Sequence, residues 1–173
     1  MRTTISRKVL FLMVTLFSVF IIQAQEKGDM AAGLNLSYGA KSDYSNFGVG
    51  AKFQYSFTDA LRIEPSATYF FKKDLVSMWD INVNLHYLFH VADKFSFYPL
   101  AGVSLLGAKA DLGDGLKEYG IKASASSTKF GANLGAGAQY WLTENFALAF
   151  EIKYQLVSDY DRPVFTLGAA YKF

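Results

Sequence analysis

The sequence predicts an all-β fold, an eight-stranded antiparallel up-and-down transmembrane β-barrel. Three observations carry that expectation. Apolar residues recur at every second position in segments of about ten residues, the segments number eight, and aromatic residues gather at the segment ends. Period two is the mark of a strand, whose successive side chains face opposite sides. Each segment meets the ~9 to 11 residues that a tilted membrane strand requires, and an even strand number suits such a barrel. Aromatics at 17% with only three prolines favour strands over helices.

The strands are preceded by a different kind of segment. Arg2, Arg7 and Lys8 lead into Val9 to Ile22, an uncharged apolar run, and Gln23-Ala24-Gln25 follows before the first acidic residue, Glu26. This is the layout of a secretory signal peptide, and the run falls short of the ~20 residues of a spanning helix. Cleavage is expected near Ala24 or Gln25, giving a signal over 1-24 and one barrel domain over 25-173. With Arg2, Arg7 and Lys8 removed, 14 of the 17 basic residues remain against 15 acidic ones, so the basic character of the whole chain belongs to the signal. No basic face remains for nucleic acid. There is no cysteine, which excludes a lipid-modified Cys, a disulfide framework and thiolate metal sites.

The eight strands are expected at Met30 to Ala40, Asn46 to Phe57, Leu61 to Lys72, Met78 to Phe89, Phe95 to Leu106, Lys129 to Leu142, Phe146 to Leu156 and Val164 to Phe173. One frame of each is wholly uncharged. In the second strand it reads Phe47, Val49, Ala51, Phe53, Tyr55 and Phe57; in the fourth, Trp79, Ile81, Val83, Leu85, Tyr87 and Phe89. A lipid-facing surface accounts for this, because Lys or Arg at the bilayer midplane costs about 2 to 4 kcal/mol. The alternation would also suit a soluble barrel with its apolar face inward. The aromatics decide: Tyr38, Phe47, Tyr69, Phe71, Trp79 and Phe130 fall at one rim, and Phe57, Phe89, Phe95, Phe97, Tyr140, Phe146, Tyr171 and Phe173 at the other. Two such rings mark two membrane interfaces.

The opposite frame is polar or tiny and should line the lumen. Pairing across the turns sets Gly33 against Lys52, Gly50 against Asn35, Gly48 against Ser37, Gly137 against Glu151 and Gly135 against Lys153. An eight-stranded lumen is just wide enough for side chains, so a glycine on one strand makes room for a long group on its neighbour. Lys52, Glu64, His86, Glu151 and Lys153 are expected to form a packed polar network.

The linkers Thr58 to Ala60, His90 to Lys94 and Thr143 to Asn145 are short, as periplasmic turns are, while Gly107 to Thr128 is long and should face outside. A frame change between Tyr119, Ile121, Ala123 and Phe130, Ala132 suggests a bulge where this hairpin leaves the membrane. The hairpin either forms a solvated loop or continues as a protruding ribbon whose edges bind a surface protein by strand addition.

The chain ends Thr166-Leu167-Gly168-Ala169-Ala170-Tyr171-Lys172-Phe173. This ending resembles the terminal strand by which the barrel-assembly machinery recognises its substrates, with Gly168, Tyr171 and Phe173 as the signal. The whole pattern resembles the small outer-membrane barrels of the OmpX and OmpA transmembrane type. The resemblance implies residence in a Gram-negative outer membrane, with lipid and lipopolysaccharide as surroundings, no cofactor, and a structural or adhesive role through the outer loops. With Phe173 as the last residue, the second domain of OmpA is not expected. A narrow pore is the alternative, and a lipid-modifying enzyme a third. The same pairing sets Glu64 beside His86 with Ser66 diagonal to it, the residue types of a Ser-His-acid triad such as eight-stranded lipid A deacylases use. Its inward frame and periplasmic depth argue against catalysis at outer-leaflet lipid. His90 is expected to be a solvated turn residue, and neither histidine has a metal partner set.

Overall fold

The computed structural model describes residues 27–41, 45–73, 76–111 and 124–173, with the side chains of 72, 73, 76, 110, 111, 124 and 125 left aside. The expected signal over 1-24 lies outside these residues. Nine strands run in chain order: β1 (Met30–Gly39), β2 (Asn46–Ser56), β3 (Leu61–Lys73), β4 (Val76–Tyr87), β5 (Phe89–Ala92), β6 (Phe95–Asp111), β7 (Ser124–Trp141), β8 (Phe146–Val157) and β9 (Arg162–Lys172). Each pairs antiparallel with its sequence neighbours, apart from β4 and β5, which both pair with β6. The β1–β9 ladder joins the first and last of these strands and the β4–β6 ladder completes the ring.

The barrel nonetheless has eight staves. β4 and β5 keep one register against β6, with His86 opposite Leu100 and Phe89 opposite Phe97. The ladder lapses at Leu88, across from Tyr98 and Pro99, where the proline ring nitrogen has no hydrogen to donate. Pro65 leaves the same mark between β2 and β3, whose pairing skips from Lys52–Ser66 to Tyr55–Ile63.

The burial is inverted relative to a water-soluble fold. Leu34 is 71% exposed and Phe130 70%, whereas Lys52 is 5% exposed and Arg62 fully buried. Only a hydrocarbon surround makes that arrangement stable, since the apolar face needs no water-free partner of its own and every strand edge is paired. Aromatic pairs stand at both rims: Tyr38 with Phe47 and Tyr69 with Phe71 at one, Tyr55 with Phe57 and Tyr87 with Phe89 at the other.

The short turns are built alike. Thr58 Oγ1 accepts from the Leu61 amide at 3.0 Å, and Thr143 Oγ1 from the Phe146 amide at 3.0 Å, so each threonine closes its own tight turn. The third turn is shorter than the sequence suggests, because β5 runs to Ala92 and leaves Asp93 and Lys94 to reverse the chain. His90 consequently corrects the expectation of a solvated turn residue. It is 6% exposed and bridges Ser96 Oγ at 2.8 Å and the Asp59 carbonyl at 2.9 Å.

Candidate functional site

The lumen is filled in layers. At its centre Lys52 Nζ lies 3.3 Å from a Glu64 oxygen and 3.8 Å from a Glu151 oxygen, all three groups buried. Gln54 Nε2 donates to Glu64 at 2.6 Å, and the Tyr98 hydroxyl to Glu151 at 2.7 Å. Arg62 donates to Gln139 Oε1 at 2.7 Å, to Gln54 Oε1 at 3.3 Å and to His86 Nδ1 at 2.9 Å. The His86 and Tyr98 rings stack with centroids 4.6 Å apart. Buried charges persist when they are paired and hydrogen-bonded, which this layer achieves for both carboxylates.

A second polar layer lies nearer the outer end. Asn133 donates to Asn82 and Asn84, and Gln155 donates to Asp80 and Ser104. Arg162 donates to Gln155 and Asn46, with its guanidinium 4.2 Å from the Phe70 ring centroid. Beyond it an apolar cluster of Phe70, Met78, Leu106, Ala108, Val157 and Val164 closes the outer end.

The expected glycine pairings all occur: Gly33 with Lys52, Gly50 with Asn35, Gly48 with Ser37, Gly137 with Glu151 and Gly135 with Lys153. The expected pairing of Glu64 with His86 does not. His86 is paired with Arg62, Glu64 with Asn84 and Ser66 with Asn82, and among the described residues Ser66 makes no hydrogen bond to His86. Glu64, His86 and Glu151 do bring ligand atoms within 4.8 Å of one another. A metal ion there would meet the Lys52 ammonium between the carboxylates and an imidazole whose Nδ1 already accepts from Arg62, so the donor set suits a lysine better than a metal.

The inward frame is not only polar or tiny, as its sequence pattern suggests, but also carries the large buried side chains Tyr98, Phe70, Met78, Leu100 and Leu106. For Tyr98 a signal existed: it shares a frame with Ser96 on β6 and stands opposite Gly137.

β9 is positioned by the first described strand. β9 pairs with β1, and the Phe173 amide donates to the Met30 carbonyl at 3.1 Å. Tyr171 and Phe173 point outward and are exposed, whereas Gly168 faces the lumen against Lys52.

The outer hairpin is the other candidate. β6 has 17 residues and β7 has 18, against 11 in β2. Their pairing continues in one register to Asp111 opposite Ser124, so no bulge interrupts it where the sequence suggested one; Tyr119, Ile121 and Ala123 lie outside the described residues. β4 accompanies β6 as far as Val76 opposite Ala110. β8 leaves β7 at Gly131 opposite Val157, so from Ser124 to Phe130 that side of β7 has no strand partner among the described residues. The β8–β9 turn is tied down beside it: Lys129 lies 3.5 Å from Asp159, Lys41 donates to the Asp159 carbonyl, and the Tyr154 hydroxyl donates to Asp161 at 3.0 Å.

A closed barrel with a lipid-facing apolar surface, two aromatic rims and a filled polar interior is an integral membrane protein of the small outer-membrane class. The comparisons agree. A family model described as outer membrane protein beta-barrel domain matches residues 9–173, and the chain belongs to that family. An uncharacterized protein of Haemophilus influenzae is 27% identical over 83% of this chain and 86% of its own length. The N-terminal β-barrel domain of Pseudomonas aeruginosa OprF superposes with a TM-score of 0.70 at 18% identity, over 86% of this chain and all of that one. Ail, the attachment invasion locus protein of Yersinia pestis, gives 0.60 at 23% identity over 85% and 99%. The protein therefore resides in a Gram-negative outer membrane.

Proposed function

We propose that this barrel is a structural and interaction scaffold, which holds its outer hairpin above the membrane for contact with a surface protein and is neither a conduit nor an enzyme. The observation that carries this reading is the contrast between interior and exterior. The interior is occupied by the Lys52–Glu64–Glu151 and Arg62–His86–Gln139 contacts and capped by the Phe70, Leu106 and Val157 layer. The exterior offers two strands running about six residues, roughly 20 Å, past what a membrane crossing needs. The unpaired side of β7 provides backbone donors and acceptors for strand addition. In the same reading Gly168, Tyr171 and Phe173 serve the barrel-assembly machinery, and the lipid-facing surface meets lipopolysaccharide in the outer leaflet.

The test joins two measurements. Cells displaying the intact barrel should adhere to immobilised surface proteins, and cells in which Gly107 to Thr128 is replaced by a two-residue turn should lose that adhesion while keeping the heat-dependent gel shift of a folded barrel. Full adhesion by the shortened protein, or stable open-channel conductance of the purified wild type in planar bilayers, would overturn the proposal.

A further inference from the structure

The outer rim carries a pocket of about 500 Å³ lined by Ala40, Lys41, Ser45, Tyr154, Asp161 and Pro163. It lies on the outside of the barrel wall. Tyr154 stands opposite Pro163 across β8–β9, and the Ala40 amide donates to the Pro163 carbonyl at 2.9 Å, so the three form one row of the outward face. Beneath that row the face is uncharged and aliphatic or aromatic. Ile152, Phe165 and Tyr38 make the next row down, Phe150, Leu167 and Leu36 the one after it, and Leu148, Ala169 and Leu34 the fourth. The pocket thus heads an apolar lane that descends the lipid-facing wall.

The polar groups above the lane are only partly committed. Lys41 Nζ donates to the Asp159 carbonyl at 3.0 Å and stands 3.7 Å from Asp161 Oδ1, which leaves ammonium hydrogens for a further acceptor. Tyr154 donates its hydroxyl hydrogen to Asp161 Oδ2 at 3.0 Å, and Ser45 donates to the Lys41 carbonyl at 2.7 Å, so both hydroxyl oxygens remain as acceptors. The Asp161 carboxylate is exposed beside them. One cationic donor therefore stands among three acceptors. A ligand that satisfies this set brings an anionic oxygen for Lys41, several hydroxyl donors for Tyr154, Ser45 and Asp161, and an acyl chain for the lane. An ethanolamine headgroup offers one ammonium to three acceptors, whereas a phosphorylated sugar offers a hydroxyl to each.

We propose that this pocket binds the phosphorylated sugar headgroup of an outer-leaflet glycolipid, with its phosphate on Lys41, its hydroxyls on Tyr154, Ser45 and Asp161, and an acyl chain against Phe165, Leu167 and Leu36. The inference rests on the reading that the lipid-facing surface meets lipopolysaccharide in the outer leaflet, and it gives that contact a seat.

The experiment uses the full mature barrel, isotope-labelled for amide resonances and held in nanodiscs of phosphatidylethanolamine and phosphatidylglycerol, with lipid A replacing part of that lipid in buffer free of divalent cations. Saturable shifts centred on Lys41, Ser45, Tyr154 and Asp161 are expected. Lys41→Gln should raise the lipid A fraction at half-saturation roughly threefold to tenfold, the effect of one charge-assisted hydrogen bond at a partly exposed site. Dephosphorylated lipid A should bind the wild type correspondingly weakly, a comparison that needs no variant. Absence of saturable shifts, shifts of equal size all round the outer rim, or undiminished binding by Lys41→Gln or of the dephosphorylated lipid overturns the proposal. Nanodiscs present both rims to lipid, so failure here counts against the pocket alone, whereas a barrel inserted the other way round would still bind lipid A and would fail the adhesion assay on intact cells.

Discussion

Tyr98 lies flat against Gly137. A Cβ built on that glycine would stand 2.5 Å from Tyr98 Cζ and 2.7 Å from its hydroxyl oxygen, inside van der Waals contact. The ring has nowhere to retreat, because its other face stacks on His86 and its hydroxyl is committed to Glu151. Gly137→Ala should therefore destabilise the barrel by about 1–3 kcal/mol through overpacking. Urea unfolding followed by the heat-dependent gel shift measures this, and an unchanged midpoint would mean that Tyr98 is free to move.

Glu64→Ala leaves Lys52 with Glu151 alone at 3.8 Å and strands the Gln54 amide. Removing one member of a buried ion pair costs about 3–5 kcal/mol, whereas replacing the pair together is far milder. The double variant Lys52→Gln with Glu64→Gln should thus be more stable than Glu64→Ala. The same unfolding assay tests the ordering, and the reverse order would show that Lys52 does not depend on Glu64.

Acid should loosen the β8–β9 turn. The hydrogen bond from Tyr154, and then the Lys41 ammonium 3.7 Å away, hold the Asp161 carboxyl below its usual range. A depressed folded-state pKa means that the stabilisation is complete above the ordinary carboxylate range and is lost as pH falls through the lowered value. Amide exchange at Tyr160 to Arg162 should accelerate over that acid interval. In Asp161→Asn the dependence should vanish, and its persistence would assign the effect to another group.

Deleting Phe173 should lower the amount of folded barrel in the outer membrane several-fold without stopping export. The terminal ring is 69% exposed and contributes little internal packing, so the loss reports recognition during assembly. Fractionation with pulse labelling separates the two steps. Normal yield would remove Phe173 from the assembly signal.

Strand number and facing were legible because both follow from the two-residue period of the backbone. Leu34 and Phe130 fell outside, Lys52 and Glu151 inside, and the lumenal glycines marked their large neighbours through simple volume exclusion. Register was legible across β1–β2 and β7–β8 but slipped by one two-residue step at β3–β4, exchanging Glu64 for Arg62 as the partner of His86. That step depends on how many residues the connecting turn absorbs, which alternation does not encode. The buried His90 was hidden for a related reason: its partners are Ser96 on the paired strand β6 and the carbonyl of Asp59 in a different turn.

Gly168 has a bearing on the order of events during biogenesis. It belongs to β9, the last of the described strands, yet its bare face lies against the ammonium end of Lys52, a side chain two staves away across β1. An incomplete barrel holds Lys52 and Glu64 beside an open slot, with no wall to exclude solvent or lipid headgroups. Insertion of the final stave seals the slot and dries the ion pair in one act, so closure of the circle and consolidation of its interior coincide.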